Sequence, residues 1–108
     1  FCIYSTLTNY DINISAPNST NGQFALLDSS GSGALLPVSV QFADNTTGTG
    51  LENVTPAAPT VDGLGNSTSD SCGGVNNAML RYSVTADTVS GSATGTYSTT
   101  FTLVVSPP

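Results

Sequence analysis

Gly95-Thr-Tyr-Ser-Thr-Thr-Phe-Thr-Leu-Val-Val-Ser-Pro-Pro108 closes the chain, and its side chains sort by parity. Tyr97, Phe101, Leu103 and Val105 fall on one parity, with Thr99 among them. Ser98, Thr100, Thr102 and Ser106 fall on the other, interrupted by Val104. Side chains alternate across a strand, so this spacing predicts one strand with an apolar face and a hydroxylic face. Gly95 opens it, and Pro107 and Pro108 end it because proline brings no ladder donor. It is the strongest strand signal in the chain. A strand of this kind needs cover on both sides, and what supplies its second neighbour becomes the functional question.

Working outward, the composition agrees with a sheet protein. At 108 residues, the chain has room for a single domain spanning residues 1–108 and one core. Eleven Gly, six Pro and abundant Ser, Thr and Asn favour short strands and turns over helices. Apolar residues make up 38% but arrive in alternating blocks, which argues against disorder. Charged residues are only 7%, Arg81 is the sole base, and the net charge is −6. A chain with one cation offers no phosphate-tracking surface, which argues against nucleic acid as a partner and against electrostatic docking on anionic membranes. No apolar run reaches the roughly 20 residues of a membrane span. No signal peptide is seen, and the start at Phe1-Cys2, inside an apolar segment, reads as a processed or trimmed terminus.

Two cysteines, Cys2 and Cys72, lie far apart. No CxxC or Cys/His cluster supports a metal, and a catalytic thiol would want a histidine that the chain lacks. A disulfide is the expectation, with two unpaired buried thiols as the alternative. A bridge over about 70 residues would contribute about 4 kcal/mol through loop closure, and it implies an oxidising compartment.

Other strands are predicted over Phe1–Thr6, Tyr10–Ser15 and Gln23–Leu27, arranged as a meander, with Asn21-Gly22 as a hairpin turn. Leu35–Ala43 follows, starting at a sheet edge or just after Pro37. The stretch 44–71 is the least patterned, with short strands expected near Leu51–Thr55 and Thr60–Val61. A tight turn at Asp70–Gly74 leads to Ala78–Ala86, with Ala78, Leu80, Tyr82, Val84 and Ala86 on one face. The expected fold is therefore an all-β, immunoglobulin-like β-sandwich of six or seven strands.

Chemistry is poorly served by this inventory. With no His and no Lys, nothing deprotonates a serine or threonine. A carboxylate pair among Asp11, Asp28, Asp44, Glu52, Asp62, Asp70 and Asp87 is formally available, but most of these acids open loops, where Asp is an ordinary turn residue. No enzymatic activity, cofactor or metal is expected. The oxygen-rich run Asp62–Asp70 lacks the acid density of a calcium loop. Asn-x-Ser/Thr sequons at Asn13, Asn18, Asn45, Asn53 and Asn66 would mark glycosylation only in a eukaryotic secreted protein or a filament or surface-layer component of another microbe. Arg81 reads as solvated or paired with an acid.

Four stretches in order carry a resemblance: Phe1-Cys-Ile-Tyr-Ser5, Leu36-Pro-Val-Ser-Val-Gln-Phe-Ala-Asp44, Ser71-Cys-Gly-Gly-Val-Asn-Asn-Ala78 and Gly95-Thr-Tyr-Ser-Thr-Thr-Phe-Thr-Leu-Val-Val105. Together they resemble subunits of bacterial chaperone–usher pili, in particular the spore-coat-protein-U-like (archaic) and colonisation-factor-type domains. The resemblance implies an incomplete immunoglobulin-like sandwich that a neighbouring subunit completes by donating a strand, after a periplasmic chaperone and an outer-membrane usher have handled it. It implies that Tyr97, Phe101, Leu103 and Val105 border the donor-strand groove, and that the chain works in an extracellular fimbrium in adhesion or biofilm formation. The segment that such subunits donate is not found before Phe1, so it is expected to be cleaved, lost in processing or left outside this chain, unless this is a terminal subunit. The alternative is a self-sufficient secreted β-sandwich adhesin that binds carbohydrate or a host receptor through loops such as 44–71.

Overall fold

The described residues form nine short strands: β1 Asn9–Ser15, β2 Ser19–Thr20, β3 Gln23–Asp28, β4 Leu35–Ala43, β5 Glu52–Val54, β6 Thr60–Leu64, β7 Met79–Ser83, β8 Tyr97–Ser98 and β9 Thr102–Ser106. They are seen in a computed structural model that describes residues 1–4, 9–64, 71–85, 88–89, 91 and 94–108. The strands form two antiparallel sheets, so the all-β class expected from composition holds. One sheet has the order β6-β1-β9. The other runs β2-β3-β4-β5, with β7 also on β4 and β8 also on β3.

Alternation explains how the two sheets meet. Tyr10, Ile12 and Ile14 of β1 are buried, as are Phe24 of β3, Val38, Val40 and Phe42 of β4, Val54 of β5 and Val61 of β6. All belong to one cluster, so each sheet turns its apolar parity toward the other. Loop Thr55–Pro59 carries the chain from one sheet to the other. It is tied by the reciprocal Thr55–Ala58 backbone bonds of 3.3 and 3.1 Å, and by Ile14 N–H donating to the Pro59 carbonyl.

The hairpin expected at Asn21-Gly22 joins β2 to β3, and both residues have positive φ, 53° and 74°. That is the conformation a two-residue hairpin turn requires, and it is the one these residue types tolerate. The short strands near 52–54 and 60–64 also appear where the pattern placed them.

Four expectations are corrected. The first three predicted strands do not form a meander. β1 pairs with β6 and β9, both far along the chain, whereas β3 pairs in the other sheet. Phe1–Tyr4 is not a strand, and Ser5 and Thr6 lie outside the described residues. Nor does the strand over 35–43 begin after Pro37, which sits within β4 opposite Ala25. Ala25 sends its N–H away from β4, to the Asn18 carbonyl at 3.0 Å. The Ala25–Pro37 position is thus a non-hydrogen-bonded pair, where a missing donor costs β3 nothing. The fourth correction concerns the closing stretch: it is two strands, not one. β8 joins the second sheet opposite Leu27 and Asp28, and β9 joins the first opposite β1, with Thr99–Phe101 crossing between.

Cys2 and Cys72 form the expected disulfide, with Cα atoms 6.0 Å apart. The free-thiol alternative falls with it. Replacing both cysteines by alanine is expected to lower stability by about 4 kcal/mol through loop-closure entropy, read as a lower urea midpoint. An unchanged midpoint would mean that the neighbouring hydrogen bonds already hold the two segments together.

Candidate functional site: an uncovered sheet edge

Register and burial together locate the site. Residues opposite one another in an antiparallel pair point to the same sheet face. Val105 on β9 is opposite Ile12, and Tyr82 on β7 is opposite Val40. Ile12 is 0% exposed and Val40 2%, yet Val105 is 43% exposed and Tyr82 63%. Both exposed residues therefore face inward in direction, but the layer that covers their partners does not reach them. β9 ends one sheet, with β1 as its one partner strand among the described residues. β7 flanks the other, with β4 as its one partner strand among the described residues.

The two edges approach each other at Tyr82 and Phe101. The Phe101 ring, just before β9, stands 6.2 Å from that of Tyr82 and meets Phe24 edge-on at 5.8 Å. Leu26, Tyr82, Tyr97, Ser98, Thr99 and Phe101 enclose a cleft of about 240 Å³. Within it, the Thr99 hydroxyl oxygen is buried without a hydrogen-bond partner. A buried hydroxyl of that kind is a standing cost unless something brings it a partner. Phe101, Leu103, Leu80 and Val84 are half-buried against the core. The four residues that the resemblance singles out are thus distributed as follows: Tyr97 and Phe101 in the cleft wall, Leu103 against the core, and Val105 uncovered.

One end of this edge is built by residues that pattern reasoning passed over. Phe1 exchanges backbone bonds with Ala78: its amino group donates to the Ala78 carbonyl at 3.0 Å, and Ala78 N–H donates back at 3.0 Å. Asn77 then grips Ile3 twice, its Oδ1 accepting from Ile3 N–H and its Nδ2 donating to Ile3 C=O, each at 2.8 Å. With the disulfide, these bonds pin the start of the chain beside the start of β7. The only sequence signal was an asparagine pair a few residues after a cysteine.

The remaining acids do not assemble a catalytic pocket among the described residues. Asp28 is buried and accepts from Ser30 N–H, from the Ser30 hydroxyl at 2.6 Å and from the Ser32 hydroxyl. These bonds hold its carboxyl below the usual range, and they lock the 28–34 loop. A side chain at Gly95 would stand 2.8 Å from Asp28 Oδ1, so this loop fits against a glycine. Asn45 likewise organises its own loop, accepting from Thr47 and Thr49 and donating to the Thr49 carbonyl at 2.8 Å. The Arg81 guanidinium lies close over Gly48, at the edge of that loop. Asn13 donates to Thr60 at 3.0 Å, and Asn53 accepts from Gln41 at 3.1 Å. The sequon at Asn66, most of the Asp62–Asp70 run, and Asp87 lie outside the described residues. No group of three or more metal-ligating side chains occurs among the described residues. Among the described residues, no helix is long and apolar enough to cross a membrane.

No family model, curated protein or solved structure matches this chain.

Proposed function

We propose that this chain is a structural subunit of an extracellular filament, an incomplete immunoglobulin-like sandwich completed by a strand donated from a neighbouring copy. The observation that carries it is the exposure of Val105 and Tyr82 on sheet faces where their register partners are fully buried. A strand laid between β7 and β9 would cover these side chains and meet two unpaired ladder edges at once. Backbone bonds would supply affinity, and alternate apolar side chains would supply register. Covering an aliphatic side chain contributes about 1.5–3 kcal/mol when it leaves water entirely. The disulfide and the near-absence of Lys and Arg, which removes sites for trypsin-like proteases, suit such a filament. In this reading a periplasmic chaperone and an outer-membrane usher hold and deliver the subunit, and the filament serves adhesion or biofilm formation.

The competing reading is a self-sufficient adhesin that binds carbohydrate or a host receptor through its loops, favoured by the internally bonded Asn45–Thr49 loop. Refolding separates the two. The isolated chain should refold poorly or self-associate, and a synthetic peptide of alternating apolar residues should yield a stable one-to-one complex. A monomer that unfolds and refolds reversibly alone, indifferent to such peptides, would overturn the filament reading; glycan retention by that monomer would establish the second.

A further inference from the structure

The outer face of the β6-β1-β9 sheet holds a pair that the filament reading does not use. Asp11, on β1, lies directly opposite Asp62 on β6. Ser106 is its partner on β9. Tyr10 and Ile12 point into the core on either side of it, so Asp11 points outward, onto the same face as Asp62. Like charges facing each other across an antiparallel ladder destabilise it.

Among the described residues, no basic side chain shares this face with them. The side chains around Asp11 on that face are Asn9 and Asn13 from β1, Asp62 and Thr60 from β6, and Ser106 and Val104 from β9. None is basic, and Asn13 is already bonded to Thr60. Arg81, the sole side-chain base, belongs to β7 in the other sheet.

We propose that Asp11 and Asp62 form a proton-sharing clasp between β1 and β6, which tightens this sheet as the surroundings turn mildly acidic. A shared proton converts the repulsion into a charge-assisted hydrogen bond. The Asp11 carboxyl is accordingly pushed up, first by its hydrogen bond with Asp62, then by burial and by the Asp62 charge. A folded-state value above the unfolded one gives stability that is fully present below the ordinary carboxylate range and is lost as pH rises through the folded value. Asp28 runs the other way: its lowered carboxyl loses its contribution only in stronger acid, as pH falls through the folded value. The two effects therefore separate in pH. Because β1 is the middle strand and carries β9, the clasp bears on the whole sheet.

Urea unfolding at about pH 5 and about pH 7.5, at equal ionic strength, tests this with the wild type, Asp11→Asn and Asp62→Asn. The wild type should have the higher midpoint at the lower pH. Each variant should lose most of that difference and be at least as stable as the wild type at the higher pH. Equal pH dependence in wild type and variants would overturn the clasp, as would variants that are weaker at the higher pH. Carbon-13 carboxyl NMR of the wild type gives a second readout: Asp11 should titrate above the ordinary carboxylate range, and an ordinary titration would overturn the proposal. Calcium chloride that restores stability at the higher pH as fully as acid does would also overturn it, by making the pair a cation site.

Discussion

A Gly63→Val variant is expected to lose about 3–5 kcal/mol of stability, comparable to deleting a buried aromatic side chain. Gly63 sits on β6 opposite Tyr10, and the Tyr10 ring packs directly against it. A Cβ at position 63 would overlap the ring at Cε2 and Cζ. The backbone there is ordinary strand, so the glycine is required for the ring's place and not for its own torsion angles. Tyr10 is 2% exposed and part of the core cluster, so displacing it opens the end of the β1–β6 ladder. Its phenol reports the change directly. Burial, and then the nearby Asp44 charge, push its pKa up to about 12. One tyrosine in the wild type should therefore titrate late by ultraviolet absorbance. In Gly63→Val, that tyrosine should return toward the ordinary value of about 10. A variant with wild-type stability and a late-titrating tyrosine would mean that the ring can slide without leaving the core.

Phe101→Asp is the second large effect, and it separates folding from assembly. Phe101 packs edge-on against Phe24 and lies beside Tyr82 in the cleft wall. Removing the ring costs about 3–5 kcal/mol, and a carboxylate left among apolar neighbours adds to it. Such a chain should either fail to fold or fold without polymerising. Val105→Asp resolves which. Val105 is already 43% exposed, so the isolated subunit should tolerate the change. A strand donated across β9 should not, because it would bury the new charge. Filament formation followed by light scattering or electron microscopy should be lost in Val105→Asp while the circular dichroism spectrum is kept. Normal filaments from both variants would mean that the donated strand runs elsewhere or does not exist.

Local pattern carried much of the fold. The alternation of Tyr10, Ile12 and Ile14, and of Leu36, Val38, Val40 and Phe42, marked strands and their inward faces correctly, because a half-buried strand must repeat every second residue. Asn21-Gly22 marked its hairpin because few residues accept positive φ. The Cys2–Cys72 pairing was reachable because the chain holds no other cysteine. Pairing between strands was not legible. β1 could have met β3, its neighbour in sequence, and the periodicity of each is equally satisfied by any apolar face. The partners β6 and β9 come from positions some 50 and 90 residues further on, where only the closed core decides among the combinations.

The closing stretch shows where the boundary falls. Parity in Tyr97, Phe101, Leu103 and Val105 set which side chains share a face, and nothing in the structure alters that for β9. What alternation cannot carry is that the segment leaves one sheet at Ser98 and enters the other at Thr102. Nor can it say how far the opposite layer extends, and so whether an inward-facing valine is covered. Those are properties of two sheets packed at a distance, set by which strands reach the edge. Composition and periodicity determined that this is a disulfide-tied, all-β chain. Only the tertiary arrangement made Val105 an exposed residue on a buried face, because exposure depends on the neighbour across the core and not on the residue itself.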